Sequence, residues 1–185
     1  MKPWVISLLL MIILTGCDAS PEIERGMTLR SSLLQSSNSQ MTVRITADYE
    51  EKRNCFAMEC IYDPQGNMTF SVLEPDTISG VSGKVESGKG MLTFDDAVLF
   101  FELMTDEKIS PICAPWILMK TLRSGYIASA CEEDGLCRLT LNDSYDDDAL
   151  TLDVWLNDRD QPVYAEILWE GRRILSMEIA NFVIM

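Results

Sequence analysis

Leu150, Leu152, Val154 and Leu156 alternate without interruption with Thr151, Asp153 and Trp155. A period of two puts four apolar side chains on one face of an extended strand and the polar ones, with Trp155, on the other. Such a strand needs neighbours that pair with it and a layer that covers its apolar face. The pattern recurs on both sides. Asp158-Arg159-Asp160-Gln161 turns the chain into Val163, Ala165, Ile167 and Trp169. Glu170-Gly171 then makes a tight hairpin into Leu175, Met177 and Ile179. Upstream, Ile127, Ser129 and Cys131 lead to a turn at Glu133-Asp134-Gly135, and Cys137, Leu139 and Leu141 return. The connections are too short for crossovers, so adjacent strands are antiparallel. One apolar and one polar face per strand predicts a sheet covered on one side only.

The first half repeats the theme. Val43, Ile45, Ala47 and Tyr49 alternate with polar residues, as do Phe56, Met58, Cys60 and Tyr62. Asp63-Pro64-Gln65-Gly66-Asn67 is a turn, Pro presetting φ and Gly supplying a positive one. Phe70 and Val72 carry a strand to Pro75, and shorter strands are expected at 82–87, 90–95 and 97–104. Two segments break the period. Residues 22–37 carry Ile23, Met27, Leu29, Leu33 and Leu34 at imperfect helical spacing. Residues 114–123 carry Trp116, Met119 and Leu122, and Pro115 fits only in a first helical turn. The expected fold is mainly β (α+β): a curved antiparallel half-barrel, an unclosed β-barrel with an N-terminal helix and a mid-chain lid helix.

The amino terminus sets the compartment. Met1-Lys2 precedes an apolar run from Trp4 to Leu14, and Leu14-Thr15-Gly16-Cys17 follows. A basic start, a short apolar core and small residues before a cysteine form a bacterial lipoprotein signal. The run is shorter than the roughly 20 residues that span a bilayer, and an ordinary signal peptide needs no cysteine at its cleavage site. Residues 1–16 are read as the signal peptide, 17–22 as a lipidated tether and 23–185 as the folded domain. Cys17 is the lipidation site, and the expected location is the extracytoplasmic face of the cell membrane.

Charge and composition narrow the function. The 185 residues carry a formal charge of −14 and no histidine. The acidity disfavours nucleic acid and anionic headgroups. The missing histidine excludes Ser-His-Asp and Cys-His catalysis and the common zinc sites. Of the six cysteines, Cys17 takes the lipid. Cys131 and Cys137, flanking a short turn, are candidates for a disulfide, while spacing leaves the pairing of Cys55, Cys60 and Cys113 open. Asp143, Asp146, Asp147 and Asp148, with Asp158 and Asp160, read as solvated loops, lacking the glycine and spaced acids of a calcium loop. No metal or cofactor is expected.

Met27-Thr28-Leu29-Arg30-Ser31-Ser32-Leu33-Leu34 runs directly into a long hairpin, Met68 to Pro75 is a strand ending in proline, and Val154 to Ile167 is a late hairpin. In these patterns, over roughly residues 27–183, the chain resembles the LolA and LolB lipoprotein carriers and receptors and the GerS-like germination lipoproteins of spore-forming Firmicutes. The resemblance implies an unclosed barrel with helices over an apolar cavity. In the carriers that cavity takes acyl chains; in the sporulation members the role is partner binding beside a cell-wall amidase. The leading expectation is a non-enzymatic, membrane-anchored binding module for a lipid chain or a cell-envelope partner protein, with Trp116, Met119 and Leu122 as candidate cavity lining. The alternatives are a structural or regulatory lipoprotein whose core fills itself, for example supporting a spore-cortex amidase, and a carboxylate-only hydrolase.

Overall fold

The computed structural model describes residues 20–185 apart from 50–51, 95–96, 103, 106–107 and 147–148. The signal segment and Cys17 lie outside the described residues. Helix α1 (Pro21–Gln35) opens the fold. Six strands follow: β1 (Ser39–Tyr49), β2 (Lys52–Tyr62), β3 (Met68–Glu74), β4 (Ser82–Glu86), β5 (Lys89–Phe94) and β6 (Ala97–Glu102). A small hairpin of β7 (Met104–Thr105) and β8 (Lys108–Ile109) leads through a single 3₁₀ turn to α2 (Ala114–Ser124). The chain ends in β9 (Tyr126–Glu133), β10 (Leu136–Asn142), β11 (Thr151–Leu156), β12 (Pro162–Trp169) and β13 (Arg172–Ile184).

Eleven strands form one antiparallel sheet in the order β6-β5-β4-β3-β2-β1-β13-β12-β11-β10-β9. The two halves of the chain are therefore two meanders, stitched together where β1 pairs with β13. The end strands β6 and β9 do not meet, which leaves the barrel open as expected. Register keeps the apolar side chains level. Ala130, Leu139, Val154, Ala165, Met177, Ile45 and Phe56 are successive cross-strand partners along one row. In β11 the alternation does what its period requires, burying Leu152, Val154 and Leu156 completely. Each such burial stabilises the fold by about 1.5–3 kcal/mol.

The convex face is polar, with one inlaid cluster. Asp153 is buried there and accepts from Arg138 Nη2 and Thr140 Oγ1, each at 2.6 Å. The Arg138 guanidinium lies over the Trp155 ring, 5.1 Å from its centroid. Trp155 Nε1 donates to Glu133 at 2.7 Å. Trp155 thus sits on the face opposite Leu152 and Val154, as its place in the alternation dictates.

Helix α1 begins where Ser20 accepts a hydrogen bond from the Ile23 amide and Pro21 occupies the first turn. Its inner face matches the stripe read from the sequence only at Leu29 and Leu33. Gly26, Leu29 and Leu33 are buried, whereas Met27 and Leu34 are 50% and 56% exposed. The reason is steric. The helix lies so close to β10 that a Cβ on Gly26 would stand 2.9 Å from Leu139 Cδ1. A glycine therefore holds the innermost position, and a hydrophobicity count passes over it.

We expect Gly26→Leu to destabilise the domain by ~1–3 kcal/mol through overpacking. Met27→Ala, although it removes a larger side chain, should stay within about 0.5 kcal/mol of wild type. Urea denaturation of both variants checks this; equal midpoints for the two would refute the assignment of the inner face.

Candidate functional site

The site that the fold builds is the concave face and the helix that crosses it. Helix α2 starts with Pro115 in its first turn, where the missing N–H costs nothing. Every residue from Ala114 to Met119, and Thr121 and Leu122, is buried. The helix packs over β2, β10 and β13 and against α1. Met119 and Leu122 are 1% and 3% exposed, and both belong to the continuous core, with Trp116 beside them. Side chains this enclosed are in contact on all sides. The structure brings Trp116, Met119 and Leu122 of α2 together in the core, where all three are buried.

Three donors hold α2 there, each on backbone carbonyls. Trp116 Nε1 donates to Gly66 O at 2.9 Å. Arg123 reaches the same turn, donating to Asp63 O at 3.1 Å and Pro64 O at 2.8 Å, with its guanidinium over the Tyr62 ring. Arg30 of α1 donates to Leu122 O at 2.8 Å and Gly125 O at 2.6 Å. Those last two oxygens lie at the end of α2, where helical carbonyls lack intrahelical partners and the dipole favours a cation. Burial pulls the Arg30 pKa below its ordinary value, but a guanidinium remains charged.

The β2–β3 turn that receives Trp116 and Arg123 is itself braced. Asp63 accepts from the Asn67 amide at 2.8 Å and from Asn67 Nδ2 at 2.9 Å. Burial pushes the Asp63 carboxyl up, but hydrogen bonds from Asn67 and from the Gln65 and Gly66 amides outweigh it and hold the group below its ordinary value. Gly66 has φ of +91°, a conformation glycine adopts freely. Asp63 to Asn67 marks the turn in the sequence, but its role as the anchor of Trp116 and Arg123 appears only in the fold. The signal for Arg30 was present too, since it lies between Leu29 and Leu33 on the buried stripe. A long cation there has to find oxygens.

A second concavity lies at the outer side of α1. A half-open groove of ≈ 330 Å³ is bordered by Thr28, Leu29, Ser32, Gln161, Phe182 and Ile184. Arg25 closes the adjoining contact by donating to Asp160 Oδ1 and to Asn157 O, both at 2.6 Å. Asp160 is thus occupied with α1, and Asp143 accepts from the Leu150 amide at 2.8 Å. Among the described residues no three His, Cys, Asp or Glu side chains gather as metal ligands. No described helix is long and apolar enough to cross a membrane.

The cysteines are not brought together. Cys55, Cys60, Cys113, Cys131 and Cys137 are all free thiols, so the expected Cys131–Cys137 disulfide is corrected. The turn decides it. Asp134 and Gly135 have φ of +52° and +78°, the two left-handed residues of a tight hairpin. Glu133 then pairs with Leu136, which sets Cys131 opposite Arg138 and Cys137 opposite Glu132. Cys131 faces outward and Cys137 into the core. Burial pushes the Cys113 thiol up to about 12 and raises that of Cys60 further.

Two outcomes follow. In the native protein Cys55 and Cys131 should react with a maleimide, and Cys60, Cys113 and Cys137 only after unfolding; a crosslinked 131–137 peptide under non-reducing mapping would overturn the hairpin register. Arg30→Met keeps the stem but orphans two carbonyls, and should cost ~2–3 kcal/mol. Arg30→Lys should recover less than half of that, because an ammonium lacks the fork that reaches both oxygens. Thermal unfolding of the two variants reads the difference.

No family model and no curated protein sequence matches the chain. Solved structures do. A DUF1329 family protein of Desulfovibrio piger superposes with a TM-score of 0.50 at 8% identity, over 88% of this chain and 91% of that one. A LolA superfamily protein of Nitrosomonas europaea gives 0.44 at 7% identity, over 86% and 93%. A chain from the complex of the Clostridioides difficile CwlD amidase with the GerS lipoprotein gives 0.43 at 13% identity, over 91% and 99%. At these identities the likeness is one of fold. What the chain shares with them is an open antiparallel half-barrel sheet wrapped around two helices.

Proposed function

We propose that the chain is a membrane-anchored extracytoplasmic lipoprotein, tethered through a lipidated Cys17, and that it serves as a non-enzymatic binding module for a partner protein of the cell envelope. One observation carries the choice between lipid and protein as the bound species: the concave face is packed with the side chains of α2, and three donors fix that helix to backbone carbonyls. Loading an acyl chain would require breaking these bonds and exposing Met119 and Leu122. A core that fills itself supports a module that works through its outer surfaces. The absence of histidine and the engagement of Asp143, Asp153 and Asp160 in structural hydrogen bonds support a role without turnover.

Metabolic labelling with a fatty-acid analogue should mark the wild type and not Cys17→Ser; equal label on both would remove the anchor. Native mass spectrometry of the Cys17→Ser protein exported by cells should give the mass of the polypeptide alone. A co-purifying lipid, together with a shift of Trp116 fluorescence on adding long-chain lipid, would replace this reading with a carrier. Turnover of a cell-wall substrate by the purified protein would replace it with an enzyme.

A further inference from the structure

The two ends of the sheet differ sharply. Strand β9 is an edge whose exposed positions include Ser129 and Glu132 and whose hairpin carries Glu133 and Asp134, charges that discourage further pairing. Strand β6 has no such protection. Its sequence is Ala97-Val98-Leu99-Phe100-Phe101-Glu102, with neither proline nor lysine. Val98, Leu99 and Phe100 are 54%, 62% and 76% exposed. Successive strand residues point to opposite faces, so the strand is apolar and open on both. Its inner edge pairs with β5 from Lys89↔Glu102 to Phe94↔Ala97. Its outer edge pairs with no strand among the described residues. The helices pack over β2, β9, β10 and β13, at a distance from this end, and Phe94 of β5 extends the apolar patch at 50% exposure.

We infer that the outer edge of β6 is a docking strand for an extended segment of the partner protein, apolar in its middle and basic at its ends, which adds as a twelfth strand. The inference rests on the partner-binding reading and names its surface. Backbone chemistry selects a strand. A free edge presents unpaired N–H and C=O groups, which hydrocarbon cannot satisfy and another extended backbone can. A lipid surface is therefore the wrong occupant despite Phe100. Charge selects the flanks. The apolar run is bracketed in sequence by Asp95-Asp96 and Glu102, in a chain of net charge −14. Two copies pairing antiparallel through β6 would bring these acids toward one another, and like charges across a pair of strands are destabilising. Basic ends on a different chain meet the same acids favourably. Alternating side chains of the added strand would cover Val98 and Phe100 on one face and Leu99 on the other.

The test uses the full-length chain as Cys17→Ser and a labelled ten-residue peptide alternating Val and Thr between Lys-Arg ends. Two control peptides accompany it: one with Asp-Glu ends, and one N-methylated at alternate amides. Fluorescence anisotropy should show saturable binding of the first, at least tenfold weaker binding of the acidic control, and loss of binding on N-methylation. Val98→Lys, on an exposed edge, should leave the melting temperature unchanged and weaken binding at least tenfold. Phe100→Thr serves as the second variant with the same expectation. Binding that survives N-methylation or both substitutions would be attraction to an acidic surface and would overturn the proposal. So would absence of binding. A concentration-dependent dimer in sedimentation, abolished by Val98→Lys, would assign the edge to a second copy and overturn it as well. None of these failures touches the partner-binding reading, which stands or falls on the lipid content of the purified protein.

Discussion

A one-sided sheet has to hide its apolar face, and here that task falls on two helices, of which the deeper-set one has only eleven residues. Helix α2 meets it by sinking into the half-barrel until nearly all of its side chains are enclosed. A helix buried to that depth cannot leave its ends to solvent. Its terminal carbonyls and its Trp116 indole need partners, and Arg30 and the β2–β3 turn supply them. The position of α1 then follows, since the arginine that caps α2 is carried on α1. The close approach of α1 to β10 follows in turn, and with it the need for Gly26.

This chain of dependence bears on function. In this protein the interior is close-packed, and the donors that pin α2 act on backbone oxygens, which no side-chain change can remove. On the partner-binding reading proposed above, recognition occurs on the outer surface of a chain whose net charge is −14. The apolar edge strand stands out because Val98, Leu99 and Phe100 are exposed in succession, at 54%, 62% and 76%.

Much of this was written in the chain. The alternation in β1, β2 and β9–β13 marks strand and face, and short turns make sequential neighbours antiparallel, whereas the pairing of β1 with β13 is decided by the tertiary structure. Pro115 marks the start of α2, and Asp63 to Asn67 marks a turn. Even the failure of the Cys131–Cys137 pair was legible in principle. A two-residue Asp134-Gly135 turn pairs residues an odd number apart, and the even separation of those cysteines places them on opposite faces.

What the sequence could not determine is depth. Whether Trp116, Met119 and Leu122 line a cavity or fill it depends on how far α2 descends into the curved sheet, a distance no local pattern encodes. Which face of α1 turns inward was equally hidden, because the closest contact is made by a glycine and the strongest by an arginine, neither of which registers as apolar. The openness of the β6 edge is likewise a tertiary fact. Val98 to Phe101 reads as an ordinary core strand, and only the assembled sheet shows that no described strand lies beyond it. Local periodicity reports what each residue prefers to touch; the curvature of the whole sheet decides what remains within reach.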